Sequence, residues 1–144
     1  MEILGRRAKS ASREGAKLGT DAKNRGLLTV AEELIRQKTY LLEENAKDVE
    51  AAKEKGVKES LIDRLQLTES RIEAMAEGLC QVAALEDPIG EVLGMKTRPN
   101  GLQIGKKRVP LGVVGIIYES RPNVTADAFS LCFKAGNVVI LRGG

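Results

Sequence analysis

Two short β-branched runs constrain this chain more than any other feature. Val113-Val114-Gly115-Ile116-Ile117-Tyr118 and Asn137-Val138-Val139-Ile140-Leu141 are apolar on both faces. That is the pattern of strands buried in a parallel sheet. Between them lies the loop Glu119-Ser120-Arg121-Pro122-Asn123, followed by a helix predicted over about 125–135. Asn123 or Thr125 is the expected cap. The helix is apolar almost all round, through Ala126, Ala128, Phe129, Leu131, Cys132 and Phe133. Only Asp127, Ser130 and Lys134 form a polar stripe, and Gly136 is placed to end the helix. Strand, helix and strand at this spacing predict a βαβ crossover, right-handed and with parallel strands.

Upstream, the hydrophobic period is helical from residue 2 to about 86. Leu4, Ala8, Ala11 and Leu18 share one face of a first helix. Leu27, Val30, Ala31, Leu34 and Ile35 make a clean amphipathic stripe on a second. Leu42, Ala46 and Val49 mark a third helix, which Gly56 is placed to stop. Ile72, Met75, Ala76, Leu79, Cys80 and Ala83 mark a fourth, with Thr68 as its cap. Cys80 lies inside that stripe and reads as a buried thiol. The period changes at Asp87-Pro88-Ile89-Gly90. Residues 91–98 and 102–109 then read as two strands of a hairpin around Pro99-Asn100-Gly101.

The expected fold is therefore α/β: N-terminal helices over 1–86, a β-hairpin and linker over 87–110, and the first βαβ unit of a Rossmann-like parallel sheet over 111–144. A parallel sheet needs cover on both faces. Here the second parallel strand closes the sequence, so strand 138–141 would present an open apolar edge. The expectation is a larger protein of which these residues are one part, or a chain that needs a partner. On their own they are expected to fold poorly.

Composition excludes several functions. The chain of 144 residues has no histidine and only two cysteines, Cys80 and Cys132. It thus lacks an imidazole base, a disulfide framework and a four-thiolate metal site. No apolar run of membrane-spanning length occurs. Aromatic residues are 3%, with no Trp, which leaves few stacking platforms for nucleic acid. Cys132, mid-helix in apolar surroundings, lacks the electropositive site that activates a thiol. No Gly-x-Gly-x-x-Gly or Walker pattern is present.

The chain carries a net charge of +3, unevenly spread. Residues 91–144 hold eight Lys/Arg against three Asp/Glu, so an anionic ligand is best sought there. Lys106, Lys107 and Arg108 read as the decoration of an edge strand. In open α/β sheets, ligands sit beyond the carboxyl ends of the strands. Two loops qualify, Glu119–Asn123 and Arg142–Gly144. The first leads into a helix N-terminus, which favours an anion. Arg121 and Arg142 add planar bidentate donors, expected to form one crevice. The plainer reading pairs Arg121 with Glu119 or Asp127 and leaves Arg142 in solvent.

The run Val109-Pro-Leu-Gly-Val-Val-Gly-Ile-Ile-Tyr-Glu-Ser-Arg-Pro-Asn-Val-Thr125, with Lys134-Ala-Gly-Asn-Val-Val-Ile-Leu-Arg-Gly-Gly144, resembles the gamma-glutamyl phosphate reductase family of the aldehyde dehydrogenase superfamily. Asn45-Ala46-Lys47-Asp48-Val49 and Leu61-Ile62-Asp63-Arg64-Leu65 resemble it too. The likeness covers nearly the whole chain, but only the N-terminal third or so of a family member. It implies a glutamate-5-semialdehyde dehydrogenase of proline biosynthesis, in which NADPH reduces L-glutamyl 5-phosphate to the semialdehyde and phosphate leaves. In the family a cysteine thiolate attacks the acyl phosphate, splitting one hard substitution into two easier steps. That cysteine lies in a catalytic domain outside these residues, and neither Cys80 nor Cys132 matches its motif. No catalytic residue and no metal ligand is therefore assigned in the chain.

The resemblance also implies site residues. Glu119, Ser120, Arg142, Gly143 and Gly144 would contact the NADP cofactor, with Arg142 near the adenosine ribose or its 2′-phosphate. Arg121 and Asn123 would meet the substrate's phosphoryl group or developing oxyanion. An ungapped register puts Arg121 at the superfamily's oxyanion position, and alignment on the proline puts Ser120 there. The implied whole protein is a cytoplasmic homo-oligomer acting on a small molecule, glutamyl phosphate, with no nucleic-acid or membrane partner. The 144 residues alone are expected to be inactive. Two alternatives stay open: another aldehyde dehydrogenase superfamily member, or a non-catalytic module that binds an anion or a partner.

Overall fold

The computed structural model describes residues 2–143 apart from Ser120. Five helices come first: α1 (Glu2–Gly15), α2 (Thr20–Arg36), α3 (Lys38–Glu54), α4 (Glu59–Leu65) and α5 (Glu69–Ala84). The hairpin strands β1 (Val92–Thr97) and β2 (Gln103–Lys107) follow, then β3 (Val113–Ile117), α6 (Pro122–Lys134) and β4 (Val138–Arg142). The helix α4 carries no stripe long enough to be read from the sequence. The joint between α2 and α3 is the single residue Gln37.

Helix ends follow local chemistry closely. The Thr68 hydroxyl accepts from the Arg71 N–H at 3.1 Å and starts α5, as expected. After α3, Gly56 turns to φ +68°. Its N–H donates to the Lys53 carbonyl, and the Val57 N–H donates to that of Ala52. Gly136 closes α6 the same way, its N–H donating to Phe133 and the Asn137 N–H to Cys132. Both are paired left-handed terminations, a conformation in which a Cβ is strained.

The core lies where α2 crosses α5. Leu27, Ala31, Ala76, Leu79 and Ala83 form its centre, with Val30, Leu34, Val82, Phe129 and Phe133 packed around them. Burying Leu27 or Leu79 contributes about 1.5–3 kcal/mol each. The alanines let the two helices approach closely. Phe129 and Phe133, one turn apart on α6, stack with centroids 5.4 Å apart and close the third side. Gly26 packs closely here: a Cβ on it would stand 3.0 Å from the Phe133 ring, which would have to shift.

The stripes are only partly buried. Leu4, Ala11 and Leu18 are exposed while Ala8 and Ser12 are buried, so α1 turns a neighbouring face inward. On α3, Asn45 and Val49 are buried and Ala46 is not. Asn45 holds the α4–α5 link, its amide donating to the Leu65 carbonyl and its oxygen accepting from the Leu67 N–H. Cys80 is exposed, contrary to the expected buried thiol, because the last turns of α5 face α2 through Leu79 and Ala83.

The strands β3 and β4 pair in parallel, Val113 beside Val138 through Ile117 beside Arg142. This is the βαβ unit read from the sequence. Its strands are less buried than expected: the Ile117 side of β3 is open, with Ile117 86% exposed. α6 and α1 lie against β4. The hairpin is antiparallel, with a bulge between Val92 and Gly94, and every residue of both strands is exposed. Its turn is a three-residue loop. The Gly101 N–H donates to the Arg98 carbonyl at 2.9 Å, and Gly101 alone has positive φ. That is a type I turn with a glycine bulge rather than a two-residue Asn-Gly turn. Among the described residues, no helix is long and apolar enough to cross a membrane.

Candidate functional site

The loop after β3 and the N-terminus of α6 form one wall of a cleft of about 490 Å³. The opposite wall comes from α4 and α5. Arg64, Arg71 and Arg121 line it together with Asp63, Asn123 and Asp127. α6 begins at Pro122, three residues earlier than expected, with Arg121 at the cap position. No side chain caps it, so neither Asn123 nor Thr125 fills the role the sequence offered. Proline suits the first helical position because its fixed φ is already helical and its missing N–H has no partner there.

The three guanidinium groups differ in their commitments. Arg71 donates to the carbonyls of Asp63 and Gln66 and pairs with the Asp63 carboxylate at 3.3 Å. It staples the end of α4 to the start of α5. Arg64 pairs with Glu119 across the cleft at 3.1 Å. The Arg121 side chain has no hydrogen bond or ion pair among the described residues. The expected alternative pairing of Arg121 with Glu119 or Asp127 is therefore not formed. Instead its backbone N–H donates to the Glu119 carbonyl at 2.7 Å, while the Glu119 carboxylate turns to Arg64. Asn123 reaches Asp127 only at 3.5 Å. A cation without a partner, beside the positive end of a helix, suits a phosphate or carboxylate.

Arg142 stands apart. It is exposed at the end of β4, and its guanidinium donates to the neighbouring Gly143 carbonyl at 2.9 Å. It does not line the Arg121 cleft, so the single crevice expected from the two arginines is not what the fold builds. The strand ends stay paired, but Arg121 lies in the cleft with α4 and α5 residues. Gly143 lies against the Tyr118 side chain, 3.7 Å separating the position of a Cβ from the hydroxyl. Ser120 and Gly144 lie outside the described residues.

Arg64 and Arg71 were not legible as cleft residues, since nothing in their spacing points to a loop some 50 residues away. A second surprise lies at the other end of α6. Ser130 and Lys134, the supposed polar stripe, are buried at 2% and 3% exposure. Lys134 Nζ donates to Asn24 Oδ1 at 2.6 Å and to the Ala83 carbonyl, in the last turn of α5, at 2.9 Å. Lys23, 1% exposed, donates to the Lys134 carbonyl at 3.0 Å and pairs with Asp87. Each lysine thus satisfies the carbonyl end of a helix, where the dipole favours a cation. One sequence signal existed: Lys23 extends the Leu27–Ala31 stripe by one turn.

Burial works against the Asp87 charge, but hydrogen bonds from Lys23, the Ile89 N–H and Thr20 outweigh it and hold its pKa below the ordinary carboxylate value. Burial alone pushes the half-buried Cys132 thiol up, which works against the thiolate form a nucleophile needs. Among the described residues, no group of three or more acidic or cysteine side chains is placed to hold a metal ion.

No family model matches the chain. Curated relatives do. The chain is 58% identical over all 144 residues to the gamma-glutamyl phosphate reductase of Caldanaerobacter subterraneus subsp. tengcongensis, covering 35% of that protein. It is 60% identical over 141 residues to that of Carboxydothermus hydrogenoformans, covering 98% of the chain and 34% of the relative. The crystal structure of gamma-glutamyl phosphate reductase from Thermotoga maritima superposes with a TM-score of 0.93 at 45% identity, over 96% of this chain and 34% of that one. The Saccharomyces cerevisiae structure gives 0.93 at 33% identity, over 99% and 36%. The chain spans about a third of the length of the curated relatives it matches. In sequence and in fold, these 144 residues are the counterpart of one third of a gamma-glutamyl phosphate reductase.

Proposed function

We propose that the whole protein reduces L-glutamyl 5-phosphate to L-glutamate 5-semialdehyde with release of phosphate, the NADPH-dependent second step of proline biosynthesis from glutamate. The likeness to reductases of that name along the full chain carries this reading. Arg121, at the mouth of α6 and with no side-chain partner among the described residues, agrees with it, because the substrate brings an acyl phosphate and a carboxylate. Arg121 grips the phosphoryl oxygens bidentately and stabilises charge as it builds on the acyl oxygen. Asn123, two residues on in the lining of the same cleft, donates from its amide.

The donor set at the end of β4 fits a phosphate-bearing nucleotide. Arg142 offers an exposed planar cation there, and Gly143 adds no side chain of its own. When bound, the cofactor supplies the hydride. Glu119, in the loop after β3, has its carboxylate held by Arg64. Neither cysteine of these residues is the nucleophile: burial works against a Cys132 thiolate and Cys80 sits on the far face of α5. In this reading residues 1–86 are an N-terminal helical region, 87–110 a hairpin and linker, 111–144 the start of the NADP-binding α/β domain, and the protein is a cytoplasmic homo-oligomer.

The test is the reverse reaction of the whole protein with glutamate 5-semialdehyde, inorganic phosphate and NADP. Arg121→Ala is expected to lower kcat/KM about 100-fold, as loss of an oxyanion donor does. A change under about threefold removes Arg121 from the site.

A further inference from the structure

We infer that Tyr118 is a positioning residue: its hydroxyl, bonded to Thr125, sets the loop that carries Arg121. This rests on the reductase reading and deepens it. Tyr118 directly follows β3, and its backbone N–H donates to the Arg142 carbonyl at 3.1 Å, which fixes it to β4. Its hydroxyl lies 2.6 Å from Thr125 Oγ1 in the first turn of α6. The bond ties residue 118 to residue 125, one on each side of Arg121 in the sequence. The Arg121 N–H donates to the Glu119 carbonyl at 2.7 Å, and Glu119 pairs with Arg64 on α4.

The need for such a bond is visible at the helix end. α6 has no side-chain cap, so its first turn lacks the usual lock on its entry angle. The Thr125 hydroxyl is bonded to that of Tyr118. The same end of the tyrosine side chain also lies against Gly143, where a Cβ would stand 3.7 Å from the hydroxyl and 3.8 Å from Cζ. The hydroxyl thus touches the first turn of α6 and the strand end assigned to the cofactor. Phenylalanine keeps Cζ beside Gly143 while losing the bond to Thr125.

The experiment uses the whole protein in the reverse reaction with glutamate 5-semialdehyde, inorganic phosphate and NADP. Tyr118→Phe is expected to lower kcat/KM for phosphate about tenfold, as a small misplacement of a binding group does, with KM for NADP unchanged. Thr125→Val is expected to match it, the double variant to be no worse than either single one, and Thr125→Ser to restore activity. Equal activity of Tyr118→Phe and wild type overturns the tether while leaving the reductase reading intact. Additive losses in the double variant, or a matching rise in KM for NADP, also overturn it. A wild-type protein inert toward these substrates overturns the reductase reading, and the tether falls with it.

Discussion

Lys134, in the last turn of α6, is buried and donates to two acceptors from α2 and α5. Arg121, one residue before the first turn of the same helix, is exposed with no side-chain partner among the described residues. The two residues are both long cations on one element, yet their surroundings differ in kind. At the C-terminal end, glycine termination, Lys23, Asp87 and Asn24 satisfy the polar groups from within the protein. At the N-terminal end the helix lacks a side-chain cap and faces a cleft. One end fixes where the helix lies, and the other is left free to meet an anion. A helix cannot aim a binding group unless its opposite end is held.

The contrast breaks most severely at Lys23. Lys23→Met leaves the Asp87 carboxylate nearly buried without its cation and the Lys134 carbonyl without a donor. We expect a loss of about 3 kcal/mol, read as a lowered midpoint in urea denaturation. The same pair gives an acid signature. The Asp87 pKa is depressed on folding, so its contribution is complete above the ordinary value of 3.8 and disappears as pH falls through the lower folded value. In Lys23→Met that part of the acid sensitivity should shrink, which a pH series of melts can show.

Gly26→Val tests the packing that seats α6 rather than its polar anchor. A branched side chain where even a Cβ stands 3.0 Å from Phe133 should cost about 1–3 kcal/mol by overpacking. Thermal melting would register it as a lower Tm. Thr68→Ala removes the cap of α5, the helix that receives Lys134, and should cost about 1 kcal/mol in the same melts. The smallest effect sharpens the comparison best. Arg121→Ala should leave stability within about 0.5 kcal/mol of wild type, because no partner is lost, while the activity of the whole protein falls. A large drop in stability there would mean that the cleft arginine is part of the framework after all.

Local features were legible because local physics decides them. Gly56, Gly101 and Gly136 each hold a positive φ, and Thr68 caps its helix with an atom three residues away. The parallel pairing of β3 with β4 followed from two apolar runs joined by a helix-length segment. The stripe of α2 found its buried face through Leu27 and Ala31. Ser130 and Lys134 misled, since a polar stripe on an apolar helix reads as the solvent side. Their partners lie on helices more than 50 residues upstream, or within the same turn, as for Ser130 and the Asp127 carbonyl. Cys80 misled in the opposite direction, its stripe being wider than the contact that α2 makes.

The sequence by itself determined the elements, their terminations and the parallel sense of the strands, because these depend on periodicity and on groups a few residues apart. Only the tertiary structure decided that Lys23 and Lys134 turn inward and that Arg64 and Arg71 join Arg121 around one cleft. A charged side chain goes where its partners are. Those partners are brought near by helix packing, which no short stretch of chain records.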